Sequence, residues 1–135
     1  MVLKMLGILL IVILIAWTYR RYIPVRCLKR YQISALEEVI TSYASEVQLL
    51  DIRDYLDYEN GHYKGSVNIS IGRLSTFWKR DLNITQSLII IADRYSDIWL
   101  ATRFLRNKGF RPVGYVLCVS KQNENQPCEC FPISN

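Results

Sequence analysis

The chain has one histidine and four cysteines in 135 residues, and that scarcity removes several kinds of chemistry. Catalysis by a lone histidine needs a nearby nucleophile or a second metal ligand. His62, in "NGHYKG", has neither beside it and is read as a structural histidine that bonds a turn. The cysteines are scattered: Cys27 behind the apolar N-terminus, Cys118 in an apolar run, Cys128 and Cys130 in the tail. That spacing is not a disulfide framework, and "CEC" lacks the second ligand pair of a zinc site. They are read as free cytosolic thiols, and no metal and no cofactor is expected. Repeats and low-complexity segments are missing too. So is a basic stripe with interleaved aromatics, which argues against nucleic acid despite a formal charge of +5. Lys4, Arg20, Arg21, Arg26, Lys29 and Arg30 account for the surplus, and they flank one apolar segment.

That segment, "MVLKMLGILLIVILIAW", is the longest hydrophobic run in the chain. Residues 5–19 fall short of the roughly 20 a membrane-crossing helix needs, but a snorkelling Lys4 extends the span to 1–22. A secretory signal peptide carries its positive charge first and ends in a small-residue cleavage site. Here the charge follows the apolar run and no such site precedes Arg20, so an uncleaved single-pass transmembrane helix is expected. Five basic residues after the span against one before it place the C-terminal side in the cytoplasm of a cell-membrane protein. Trp17, Tyr19 and Tyr22 would be interfacial anchors. The acceptor patterns at Asn68 and Asn83 would then never meet the glycosylation machinery.

The remainder fits one small domain. Residues 23–32 read as a basic linker spacing it from the membrane, 33–119 as the domain and 120–135 as an irregular tail. "ISALEEVITSYA" has helical apolar spacing, with Ser34 and Glu37 placed for a capping box. "VQLLDIR" reads as a strand, "YLDYENGHYKG" as a polar turn region, "SVNISI" as a second strand and "FWKRDLN" as a connector. The β-branched run "SLIIIA" is a fully buried strand, "DIWLATRFLRNKGF" an amphipathic helix closed by Gly109, and "VGYVLCV" the last strand. Strand, helix and strand in that order predict a right-handed parallel crossover, so the fold class is α/β: a small parallel sheet flanked by helices. Asp51 and Arg53 stand at a strand's C-terminal end, where open α/β sheets collect functional groups, although an ion pair explains them as well.

The stretch "LLDIRDYLDYENGHYKGSVNIS", residues 49–70, resembles the signature of rhodanese-like domains. Asp51, Arg53, Tyr58, Gly61, His62, Gly65, Asn68 and Ile69 match that signature, while Asp57, Tyr63 and Ser70 replace its Glu, Ile and Pro. Residues 88–110 are similar in layout to the family's strand, active-site loop, helix and closing Gly-Phe, extending the resemblance from about 34 to about 117. The family's chemistry is sulfur transfer by a cysteine at the end of that strand, its thiolate or persulfide held by backbone N–H groups of the following loop. Here the cysteine is missing. Counting back from Gly109 puts Ala92 at the nucleophile position, or Asp93 if the loop is one residue shorter.

The resemblance therefore implies a sulfurtransferase-like pseudoenzyme, a membrane-anchored binding or regulatory module. Asp93, Arg94, Tyr95, Ser96, Asp97 and Ile98 form the vestigial loop, a candidate site for a small anion or a protein partner, with Arg94 as charge partner. Asp93 and Asp97 would repel an anion there. Asp51, Arg53 and His62 would support the loop. The alternatives are a thiosulfate-type sulfurtransferase using Cys118, Cys128 or Cys130, and a degenerate member whose closing helix is lost to truncation or a frame shift after Val119.

Overall fold

Between Lys4 and Arg20 no residue carries charge or breaks a helix with proline, and Thr18 turns its hydroxyl back onto the Leu14 and Ile15 carbonyls, so the first element is helix α1 (Val2–Tyr22). The computed structural model describes residues 1–22, 25, 27–43 and 46–118. The expected tail 120–135, with Cys128 and Cys130, lies outside the described residues. The described apolar side chains of α1 are exposed around the helix, which touches the domain at helix α5 (Tyr95–Asn107).

Among the described residues no helix is long and apolar enough to cross a membrane. The uncharged stretch, residues 5–19, is 15 residues. At 1.5 Å per residue it covers about 22 Å of a roughly 30 Å hydrocarbon core. The expected helix is present, but Lys4 and the arginines bound its apolar part more tightly than a span of 1–22 requires.

Strand β1 (Lys29–Arg30) follows, so part of the expected linker is an edge of the sheet. Helix α2 (Ile33–Ser42) starts at Gln32 as N-cap, without a side-chain cap bond. Ser34 is already inside the helix, and the expected capping box is not formed. Next come β2 (Val47–Asp51), α3 (Tyr55–Glu59), β3 (Val67–Asn68), α4 (Leu74–Asp81) and β4 (Ser87–Ala92). Helix α5 leads to β5 (Arg111–Leu117). "YLDYE", part of the stretch read as a turn region, is helical, and α4 covers most of the expected connector "FWKRDLN". Each is under nine residues and takes its stability from packing rather than from periodicity long enough to be read.

The five strands are all parallel in the order β1-β5-β4-β2-β3, the α/β class expected. β4 is central, and its alternate side chains build two cores. Leu88, Ile90 and Ala92 join Leu50, Leu74, Ile98, Ala101 and Leu105 under α4 and α5, whereas Ile89 and Ile91 meet Leu36, Leu49, Val116 and Cys118 under α2. Burial on both faces explains why the strand reads as an unbroken apolar run.

Two glycines are dictated locally. Gly109, at φ 89°, ends α5 in a Schellman closure, its N–H donating to the Arg106 carbonyl at 3.0 Å and that of Phe110 to Leu105 at 3.0 Å. Gly114 follows a bulge in β5, where a Cβ would lie 2.7 Å from the Lys29 carbonyl and against the Tyr31 ring.

Candidate functional site

The sequence-derived candidates gather at the C-terminal edge of the sheet, where β2 and β4 end side by side with Asp51 opposite Ile91. They form two separate arrangements.

The first joins β2 to β3. Asp51 is fully buried, and its carboxylate takes the Arg53 guanidinium in a fork: Nε at 3.0 and 3.1 Å, Nη2 at 2.7 Å. The Arg53 backbone N–H adds a bond to Asp51 at 3.0 Å, and Nη2 also reaches the Gly61 carbonyl at 2.9 Å. Asn68 clamps the same stretch from β3, donating to the carbonyls of Asp51 at 3.2 Å and Arg53 at 3.1 Å. Tyr58 donates its hydroxyl to the Ser66 carbonyl at 2.9 Å and stacks on His62, with ring centroids 4.0 Å apart. The exposed His62 donates Nδ1–H to the Tyr58 carbonyl at 3.0 Å. These residues brace residues 53–68, not the segment after β4 they were expected to support. A buried, charge-assisted, bidentate pair whose Nη2 also reaches a carbonyl is a structural clamp.

The second joins β4 to α5. Ala92 is fully buried, and only Asp93 and Arg94 separate β4 from α5. Tyr95 and Ser96, expected as loop, are helical together with Asp97 and Ile98, which read both as loop and as the start of the helix, and the four make its first turn. Arg94 is its N-cap, and its guanidinium bonds the Asp97 carboxylate through Nε at 2.9 Å and Nη2 at 2.8 Å, with Asp93 further off at 3.8 Å. Asp97 is in the first turn, where the helix dipole favours a carboxylate. Tyr95 and Trp99, one turn apart, stack at 5.9 Å, and both meet Tyr115 of β5 edge-on at 6.1 and 5.7 Å. The i, i+4 spacing of Tyr95 and Trp99 was visible in the sequence; their closure on Tyr115 depends on the β4–β5 register.

Chemically, the joint holds its own anion. The charge that would receive an oxyanion, on Arg94, is matched by Asp97, and no cysteine lies from 92 to 110. The nearest described thiol in the fold is Cys118, whose backbone N–H donates to the Ala92 carbonyl at 2.7 Å. The sequence placed Cys118 at the far end of the following strand; because that strand is parallel, the far end is this same edge. Its side chain, however, is buried in the α2-side core, while Ala92 belongs to the α5-side core.

Among the described residues no three His, Cys, Asp or Glu side chains converge as metal ligands. A groove of about 310 Å³ lies between α3 and α4, lined by Tyr55, Tyr58, Ser70, Arg73 and Phe77. Another of about 490 Å³, lined by Gln48, Trp78, Lys79, Ile84 and Phe110, sits at the opposite end of the sheet. Neither contains the β4–α5 joint.

Residues 36–118 match the family model described as Rhodanese-like domain. No curated protein matches the chain. Among solved structures, a rhodanese-related protein from Thermoplasma volcanium is similar, at 24% identity and TM-score 0.52 over 65% of this chain and 83% of that one. The rhodanese-like domain of an Anabaena sp. protein is 20% identical, with TM-score 0.53 over 69% of this chain and 68% of that one. The reduced CoADR-RHD of Bacillus anthracis, 16% identical with TM-score 0.51, matches over 67% of this chain, which spans 15% of that protein's length. At these identities the structures speak for the fold.

Proposed function

Since the chain belongs to the rhodanese-like domain family, we propose that it is a membrane-seated member without sulfurtransferase activity, working as a protein-binding module. The observation that carries this is the joint after β4. Ala92, or Asp93 if the loop is one residue shorter, stands where the resemblance puts the nucleophile, and Arg94 and Asp97 close on each other where an anion cradle would open. Persulfide chemistry needs a thiolate to attack the donor and then hold the transferred sulfur, and neither an alanine methyl nor an aspartate carboxylate can hold a persulfide. With Arg94 satisfied internally, a small free anion fits poorly. A segment of a partner protein packing on the exposed Tyr95 beside Trp99 fits better.

The membrane part of the proposal rests on α1. A helix apolar on all faces and left uncovered by its own domain belongs in lipid. Its 15 uncharged residues are short by about 8 Å, which snorkelling of the flanking cations and local thinning absorb at fractions of a kcal/mol per Å. The charge bias across α1 sets the domain in the cytoplasm at the cell membrane. External protease acting on intact cells should leave the domain whole.

The enzymatic proposal is tested by thiosulfate-to-cyanide sulfur transfer with the full chain in detergent. The expected outcome is no turnover, and none on Ala92→Cys either, because a thiol alone does not rebuild a loop two residues long. A second reading, transfer by Cys118, draws on its bond to Ala92; turnover that disappears in Cys118→Ser would establish it and overturn the first. The third, a degenerate product, predicts no cooperative unfolding.

A further inference from the structure

Residues 33–118 carry ten basic and ten acidic side chains, yet the charges are segregated. Segments 71–84 and 98–111, which include α4 and most of α5, hold seven of the basic residues and one acid, Asp81. Asp81 is engaged by Arg80, Nε to Oδ1 at 2.6 Å, and the remaining charges of the layer are cationic. Both helices cover the same face of the sheet, so residues some 30 positions apart form one surface. This surface is what reading the sequence along its length did not find.

The cations are seated on aromatic rings. Phe77 lies under Arg73 at 4.6 Å and Arg80 at 4.8 Å. Trp78 lies under Lys79 at 5.4 Å and, from the other helix, Lys108 at 5.6 Å. Lys108 also lies 5.6 Å from Phe104. The exposed Ile84 borders the groove beside Trp78. Half-buried rings under exposed cations match a lipid headgroup layer, where amphipathic aromatics sit at the interface and basic side chains meet anionic phosphates. A surface for single-stranded nucleic acid instead needs open ring faces for bases to stack on. The same layer is the one that α1 touches, through α5.

We infer that the outer face of α4 and α5 is a docking surface for anionic lipid headgroups, seated on the bilayer that holds α1. The inference rests on the membrane reading of α1, and the experiment separates the two. Trp17→Phe with Trp99→Phe leaves Trp78 as the only indole in the full chain. That protein is added to vesicles of phosphatidylcholine alone, or mixed with phosphatidylglycerol, each carrying a headgroup-linked quencher. Trp78 emission should fall by on the order of half in the anionic vesicles, stay unchanged in the neutral ones, and recover in molar salt as the field is screened. Lys79→Glu with Lys108→Glu should abolish the quenching; if that variant fails to fold, the salt arm decides alone. Sedimentation with both vesicle types but no quenching overturns this inference and leaves the membrane reading standing. No sedimentation with either overturns both. Quenching relieved by a single-stranded oligonucleotide at physiological salt assigns the face to nucleic acid and overturns the lipid inference.

Discussion

The ends of β2 and β4 lie side by side in the sheet, and the chain finishes them in opposite ways. After β2 a fully buried Asp51 and an almost fully buried Arg53 hold a polar network reaching Gly61 and Asn68. After β4 the polar pair, Arg94 and Asp97, is half in solvent: the arginine side chain is 66% exposed, the aspartate 8%. Beneath it, packing of Ile98, Trp99, Tyr95 and Tyr115 fixes the helix. The matched family signature survives as scaffold in the first place, and in the second the expected reactive loop has become a helix start. A buried network tolerates no loss of one partner, whereas a joint whose ion pair is half in solvent leans on packing and an adequate cap. The two regions should therefore fail differently.

The largest effect is expected at the clamp. Arg53→Ala strands the Asp51 carboxylate inside the sheet edge, and removing one member of a buried pair costs about 3–5 kcal/mol. Chemical denaturation should show this loss, and Asp51→Ala with Arg53→Met should be less damaging than Arg53→Ala alone. If the double variant is as unstable as the single, the clamp is not an electrostatic unit.

At the joint the larger loss should come from packing. Ile98 is fully buried in the α5-side core, so Ile98→Ala should cost about 2–4 kcal/mol. Arg94→Ala should cost under about 1 kcal/mol, because an ion pair with one exposed partner is screened and pays for two ordered side chains. Should Arg94→Ala prove as costly as Ile98→Ala, the joint would be a polar clamp like its neighbour and the contrast would collapse.

The sequence made one side of this contrast far more legible than the other. Asp51, Arg53, His62 and Asn68 lie in one ungapped stretch, and their partners are within 17 residues, so local spacing placed them together. The central strand was legible because burial on both faces writes an unbroken β-branched run. The joint was not: whether "RYSD" is loop or helix turns on Tyr95 and Trp99 closing on Tyr115, about 20 residues away and brought near by parallel pairing of β4 and β5. The short helices α3 and α4 were missed for a related reason, since one or two turns carry too little periodicity. The basic face of α4 and α5 has no linear signal because it is assembled from two helices.

The smallest expected effect uses a titration on the clamp side. Tyr63 lies in the braced connection after α3 and packs against the α2-side core. Burial raises its phenol above the ordinary value near 10, and the Glu37 carboxylate of α2 raises it further. A group whose folded value lies above its unfolded one favours folding with its proton on. That contribution is complete below the unfolded value and is lost as pH rises through the folded one. The denaturation midpoint should therefore decline above about pH 10, by less than Arg94→Ala lowers it at neutral pH. Exposed Tyr55 contributes in the same direction, because Glu59 raises its phenol as well, so Tyr55→Phe is the background of choice. In that background Tyr63→Phe should flatten the alkaline decline measured from its own neutral midpoint. A decline that persists undiminished would place the alkaline sensitivity elsewhere.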